Sequence, residues 1–345
     1  MRVIAQQILD ALNAARVRAT YGAVAQVLGI HPLSVAKHLG VRRPEASWVV
    51  SARSGLPSGY AASERHDNLL DNSKIIRTGD ELGRLLDIAG PKSDSLSAAS
   101  STVRLIGIDL AWNCEKNGSG IAIGKLEDNR LIVESVRSEV LDPDSIARVV
   151  GDTQGIRGVA IDAPLIVRNK TGSRPCEKAL NTVYQRFWAG AHPTNLKTPW
   201  RSGVALANKL ESQNFGHLGH GQRRWQIECY PHPAIVELFG LDKRLKYKRK
   251  KGMSTDDVRL GQISLAKHLL SLVEATTLGL DFADVVRPYL EPASIENLAA
   301  GKLKQNEDLF DAIVCLYVAG LYEIDAKSRI FGDTASGYIY VPTRV

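Results

Sequence analysis

Long apolar runs are missing from this chain. No stretch reaches the roughly 18 uncharged residues that a membrane-spanning helix needs, which excludes a helical membrane span. Cysteine is scarce as well. The four residues Cys114, Cys176, Cys229 and Cys315 form no C-x-x-C pair, so neither a ribbon-type zinc site nor a disulfide framework is expected. They read as reduced thiols, most of them buried as small apolar residues. The first residues, MRVIAQQILDALNAARVR, lack the uninterrupted apolar stretch of a secretion signal. Their apolar positions recur at helical spacing and are broken by Gln, Asp and Asn. The expected location is the cytoplasm.

What is present fits an ordinary globular chain with room for two domains. It has 345 residues, 44% apolar and 23% charged. The net charge of +7 suits a polyanionic partner, because Lys and Arg neutralise phosphates and release counterions. That charge carries weight only where it lies beside a site.

The clearest boundary is residues 87–102, DIAGPKSDSLSAASST, where Ser, Ala, Gly and Pro dominate and apolar periodicity stops. It reads as a flexible linker between a small unit, 1–86, and a large one, 103–345. In the small unit, residues 3–15 have one apolar face. YGAVAQVL (21–28) reads as a second helix closed by Gly29, and PLSVAKHLG (32–40) as a third. This is a helix-turn-helix pattern, with ASWVV (46–50) and the Gly55–Gly59 turn suggesting a wing. The large unit offers strands at 103–109 (VRLIGID), 120–125, 130–137, 158–161 (GVAI) and 226–230 (QIECY). Helices are expected at 142–150, 256–276 and 307–326. A meander of three strands followed by helix–strand alternation predicts an α/β fold, a mixed sheet with helices on its faces.

Several acids fall where burial is costly. Asp109 ends VRLIGI, Asp162 follows GVAI, and Glu228 lies within QIECY. A carboxylate ending an apolar strand needs a partner or a cation. Asp308 and Asp311, spaced i and i+3 on a helix, share a face. Each also has a structural reading: Asp109 as a turn cap, Asp162 as a turn residue before Ala163-Pro164, Asp308 as an N-terminal helix acid. Five acids in this arrangement favour a site for Mg²⁺ or Mn²⁺, which take carboxylate oxygens. Two such ions can activate water and stabilise the leaving oxygen of a phosphodiester.

GIDLAW, AIDAPL, IECYPHPAIVELFG and DLFDAIVCLYVA together resemble the family catalogued as domain of unknown function 429, regarded as an RNase H-like nuclease. The resemblance covers nearly all of 103–345. It implies that Asp109, Asp162, Asp308 and Asp311 are metal ligands, the last two resembling the acid pair on the final helix of RuvC-type nucleases. Asp109 would bridge two ions, and Glu228 matches a Glu-x-x-Pro motif and joins the catalytic set. The same core also serves actin-like phosphotransferases, but GIDLAWN lacks their Gly-Gly-Thr/Ser phosphate turn.

Around these acids, KRLKYKRKK (243–251) is the densest positive run. It reads either as a solvated loop or as a phosphate-tracking one, with Lys246, Lys248, Arg249 and Lys250 as contacts. Arg174, Lys178, Arg223 and Arg224 flank the acid motifs and are expected on the substrate backbone. Trp188, Trp200 and Trp225 are candidates for base stacking or for core. His217, His220 and His232 form a weak zinc pattern without a fourth ligand.

TYGAVAQVLG, PLSVAKHLGVRRPEASWVV and GLPSGYA resemble the DNA-binding domain of O6-alkylguanine alkyltransferases and alkyltransferase-like proteins. Tyr21 matches the tyrosine that helps rotate a nucleotide out of the duplex. The nucleophile motif falls near Glu45-Ala46-Ser47-Trp48, without its cysteine or histidine, so alkyl transfer is excluded. The resemblance implies a non-catalytic DNA-binding module in which Lys37, His38, Arg42 and Arg43 meet phosphates and Ala46 and Trp48 line any remaining pocket. A degenerate helical domain for protein contacts is the alternative. Taken whole, the chain reads as a metal-dependent nuclease acting on DNA, with a link to repair or defence. The alternative is an inactive DNA-binding adaptor.

Overall fold

The computed structural model describes residues 2–28, 32–89, 103–114, 116–199, 201–219 and 224–344. The chain divides into two compact units, within 1–99 and 100–345. No helix among the described residues is long and apolar enough to cross a membrane.

The first unit contains α1 (Arg2–Ala15), β1 (Arg18–Thr20), α2 (Tyr21–Leu28), α3 (Val35–Leu39), β2 (Val49–Val50), β3 (Ile75–Ile76) and α4 (Gly79–Ala89). Ile8, Leu9 and Leu12 form the buried stripe of α1 and share a core with Val24, Trp48 and Leu82. The Thr20 hydroxyl accepts a hydrogen bond from the Ala23 N–H at 3.1 Å and so starts α2. Residues 46–50, expected to form part of a wing, pass from a 3₁₀ turn (Pro44–Trp48) into β2. That strand pairs in parallel with β1, which pairs in parallel with β3 on its other side. The linker was expected from residue 87, yet α4 runs to Ala89 because Leu82, Leu85 and Leu86 pack at helical spacing on this core. Residues 90–102 lie outside the described residues.

The second unit contains β4 (Val103–Asp109), β5 (Ser119–Glu127), β6 (Arg130–Glu139), α5 (Pro143–Asp152), β7 (Ile156–Asp162), α6 (Pro175–Tyr184), α7 (Ser202–Ser212), β8 (Gly216–His217) and β9 (Trp225–Glu228). It continues with α8 (Pro231–Phe239), α9 (Thr255–Ser271), β10 (Gly279–Phe282), α10 (Pro292–Glu296), α11 (Ala300–Glu323), β11 (Ser328–Asp333) and β12 (Gly337–Pro342). Its sheet has the order β10-β6-β5-β4-β7-β9-β8. β4, β5 and β6 form the expected antiparallel meander, and β7 and β9 add in parallel to β4. Helices flank this mixed sheet. The β11–β12 hairpin and α6, α7 and α8 are elements that the sequence reading does not predict.

One helix sets the geometry of the site. Helix α11 is buried from Asn306 to Tyr322 and crosses the sheet at very short range. A Cβ on Gly107 would lie 2.1 Å from the Leu316 backbone nitrogen, and one on Gly120 would lie 2.0 Å from the Asp308 carbonyl oxygen. Only glycine permits this approach.

Candidate active site

Asp109 closes β4 and Asp162 closes β7, and the two are direct register partners. Directly opposed residues share a face of the sheet. Since side chains alternate along a strand, that face is also the one Gly107 leaves open to α11. Asp311 arrives from α11, fully buried. One carboxylate oxygen from each of Asp109, Asp162 and Asp311 lies within 4.8 Å of the others. Asp308 stands one turn earlier on the helix. It accepts from Lys304 Nζ at 2.5 Å and from the Ser138 hydroxyl at 3.3 Å, while Lys304 also reaches Glu307 at 2.8 Å.

This convergence is electrostatically costly. Burial pushes Asp162 up to about 7, against the pull of Lys248. Asp109 lies well above the usual carboxylate range, through burial and then the charge of Asp311. Asp308 is raised by burial and partly restored by Lys304. Among the described residues the aspartate trio is the group able to hold a metal ion.

Lys248 enters the same cluster. Its ammonium pairs with Asp311 Oδ2, and the buried Tyr247 hydroxyl donates to Asp311 Oδ1 at 2.6 Å. Burial alone would lower the Lys248 pKa, but Asp311, Tyr247, Asp109 and Asp162 outweigh it and hold the pKa well above the usual lysine range. The basic run therefore has two sides: Tyr247 and Lys248 turn inward, whereas Lys246, Arg249 and Lys250 are exposed.

Glu228 takes a different place. Its register partner is Ile161, not Asp162, so it projects from the opposite face of the sheet. There Arg174 clamps it with two bonds of 2.8 and 2.5 Å, and the Leu165 N–H donates at 2.9 Å. Burial still leaves the Glu228 carboxyl above its ordinary range, against Arg174. Arg174 also donates to Glu177 at 2.8 Å, and Glu177 accepts from the Thr194 N–H at 3.0 Å. At 1% exposure, Arg174 is a buried clamp rather than the substrate-backbone contact expected of it. Its partner lay 54 positions away, which sequence spacing does not reveal.

These groups border one cleft of about 380 Å³, lined by Asp109, Asp162, Asp308, Glu228, Lys248 and Lys250 among others. His192, His232 and Thr194 line it too. His232 Nδ1 and Thr194 Oγ1 are buried with no hydrogen-bond partner among the described residues. Burial, reinforced by Lys248, keeps the His232 pKa well below its usual value, so the ring is neutral. In the sequence, His232 stands out only as part of the zinc pattern. The structure instead stacks it edge-on between Tyr230 and Tyr247.

The remaining candidates are dispersed. Arg224 lies over the Phe215 ring at 5.3 Å, and Lys178 is exposed. Trp225 is fully buried and donates to Glu323 at 2.6 Å, whereas Trp188 is exposed beneath the Lys243 ammonium. His217 meets the Tyr338 hydroxyl at 3.0 Å. Arg223, Trp200 and His220 lie outside the described residues. In the first unit the Tyr21 hydroxyl accepts from the Ser58 N–H, His38 Nδ1 bonds the Ser34 carbonyl and Arg43 donates to Leu39 O. Lys37 and Arg42 are exposed, and Arg42 lies over the Tyr60 ring. Trp48 is fully buried, donating to Asn13 Oδ1 at 2.8 Å, and so belongs to the core rather than to an open pocket.

Neither a curated protein nor a solved structure matches the chain. Residues 107–335 match the family described as a protein of unknown function (DUF429). That span covers well over half of the chain and holds all three converging aspartates, and the chain belongs to this family.

Proposed function

We propose that the second unit is a metal-dependent nuclease of RNase H-like fold, hydrolysing phosphodiester bonds in nucleic acid, with DNA as the foremost substrate. The observation that carries this reading is the convergence of Asp109, Asp162 and Asp311 at the ends of adjacent strands and a buried helix. A three-stranded antiparallel meander extended in parallel by two strands supports the fold assignment.

The donor set fits the group. Three carboxylates brought together in a partly open cleft repel one another, and hard divalent cations prefer such oxygens. Asp109, Asp162 and Asp311 would hold Mg²⁺ or Mn²⁺, with Asp308 at the rim. When bound, the ion would supply an activated water and charge stabilisation. The chain's own groups do the rest. Lys250 and Lys304 bring positive charge to the cleft wall for the phosphate. His232 lines the cleft with a neutral ring whose Nδ1 is buried and unpartnered among the described groups. Exposed Lys246 and Arg249 extend that charge along the incoming strand.

The first unit, in this reading, is a DNA-binding domain without catalysis, contacting phosphates through Lys37 and Arg42. A second reading is an inactive adaptor. It draws on Lys248, which already neutralises part of the acidic cluster. The test is incubation of the full chain with labelled duplex, branched and single-stranded DNA and RNA–DNA hybrid in Mn²⁺ or Mg²⁺. Metal-dependent cutting of any of them supports the nuclease. Binding without cutting supports the adaptor.

A further inference from the structure

Lys248 is no ordinary member of a basic loop. Gln262 Nε2 on α9 donates to the Tyr247 carbonyl at 3.3 Å. A Cβ on Gly261 of α9 would lie 2.2 Å from the Lys246 carbonyl oxygen, so the loop backbone is seated directly on that helix. Tyr247 is fully buried against His232. These contacts fix Lys248 where it stands.

Both oxygens of Asp311 are in contact, Oδ1 accepting from the Tyr247 hydroxyl and Oδ2 paired with the Lys248 ammonium. Asp109 and Asp162, by contrast, accept no hydrogen bond from the described protein groups, and they line the cleft. With Asp308 paired to Lys304, the three carboxylates, once ionised, carry three negative charges, and Lys248 returns one positive charge. The remainder matches one divalent ion. A second would leave an excess of positive charge in a confined site.

We propose that Lys248 is the resident cation of this centre, standing where a second metal ion would otherwise lie, and that the site takes one divalent ion on Asp109 and Asp162. The proposal rests on the metal reading above; it takes one ion where the sequence reading had two, and it gives Asp311 to Lys248 and Tyr247 rather than to the metal.

The test is titration of the full chain with Mn²⁺, read by calorimetry and by native mass spectrometry. Wild type is expected to bind one ion, and Lys248→Arg also one. Lys248→Met is expected to bind a second ion, or to hold the first on the order of tenfold more tightly or better, because a like charge has been removed. Two ions on the wild type would overturn the proposal and leave the metal reading intact. No ion on the wild type would overturn both. Unchanged stoichiometry and affinity in Lys248→Met would overturn the role of the lysine. If Lys248→Met fails to fold by circular dichroism, Lys248→Met/Asp311→Asn removes the ion pair together and is expected to keep one ion. Its loss there would overturn the placement on Asp109 and Asp162.

Discussion

Asp109 and Asp162 face each other as register partners across β4 and β7, and neither carboxylate accepts a hydrogen bond from the described protein groups. Two acids side by side without donors form a destabilised pair in the absence of a metal ion. The fold supplies the constraint that keeps them together: both strands are central in the sheet, and α11 presses on the face they share.

That strain has a pH signature. An unfolded aspartate titrates near about 3.9, whereas folded Asp162 is raised to about 7 by burial, opposed by Lys248. Between those limits the folded chain keeps a proton that the unfolded chain has released, so stability falls as pH rises. The contribution is full below about pH 4 and is lost as pH climbs through about 7. In metal-free buffer, urea unfolding of wild type relative to Asp162→Asn is expected to weaken across this window by up to about 1.4 kcal/mol per pH unit. Parallel pH profiles for the two proteins would contradict the assignment.

The Arg174 clamp is expected to matter for stability. Arg174→Met leaves Glu228 and Glu177 buried without their cation, a loss of about 3–5 kcal/mol. Arg174→Met/Glu228→Met is expected to recover part of it. Chemical denaturation checks both, and a single-variant loss below about 1 kcal/mol would show that the clamp is not structural.

Gly120 controls where α11 begins its crossing. Gly120→Ala drives a methyl into the Asp308 backbone, so the helix must shift and carry Asp308 and Asp311 with it. Overpacking of this kind costs about 1–3 kcal/mol, and Mn²⁺ affinity is expected to fall alongside. A variant as stable as wild type would mean that the helix yields freely.

The exposed half of the basic loop is expected to act through charge alone. Lys246→Ala, Arg249→Ala and Lys250→Ala should each weaken binding of labelled DNA regardless of its sequence. Each should also reduce the slope of log affinity against log salt by about 1. Fluorescence anisotropy across a salt series measures this, and unchanged slopes would remove the loop from the interface.

Much of the second unit was legible because its strands announce themselves: VRLIGI and GVAI are apolar runs that each stop at an acid. The face of each acid was not. Glu228 reads like Asp162 in the sequence, and only the register with Ile161 turns it away toward Arg174. Lys248 was legible as charge but not as position, since a basic run looks solvated until Tyr247 and Gly261 pin it to α9. The one local signal was an aromatic residue inside that run. In the first unit, strands of two or three residues are too short to show a period, and their parallel pairing left no trace in the sequence.

The most direct measurement is the rate of metal-dependent phosphodiester cleavage by wild type and Asp109→Asn on the same labelled substrate, with a chelator control. Cleavage by the wild type, abolished by the chelator and strongly reduced in Asp109→Asn, is the expected result. Equal cleavage by the two proteins, or cleavage that survives the chelator, would contradict an active site built on these aspartates.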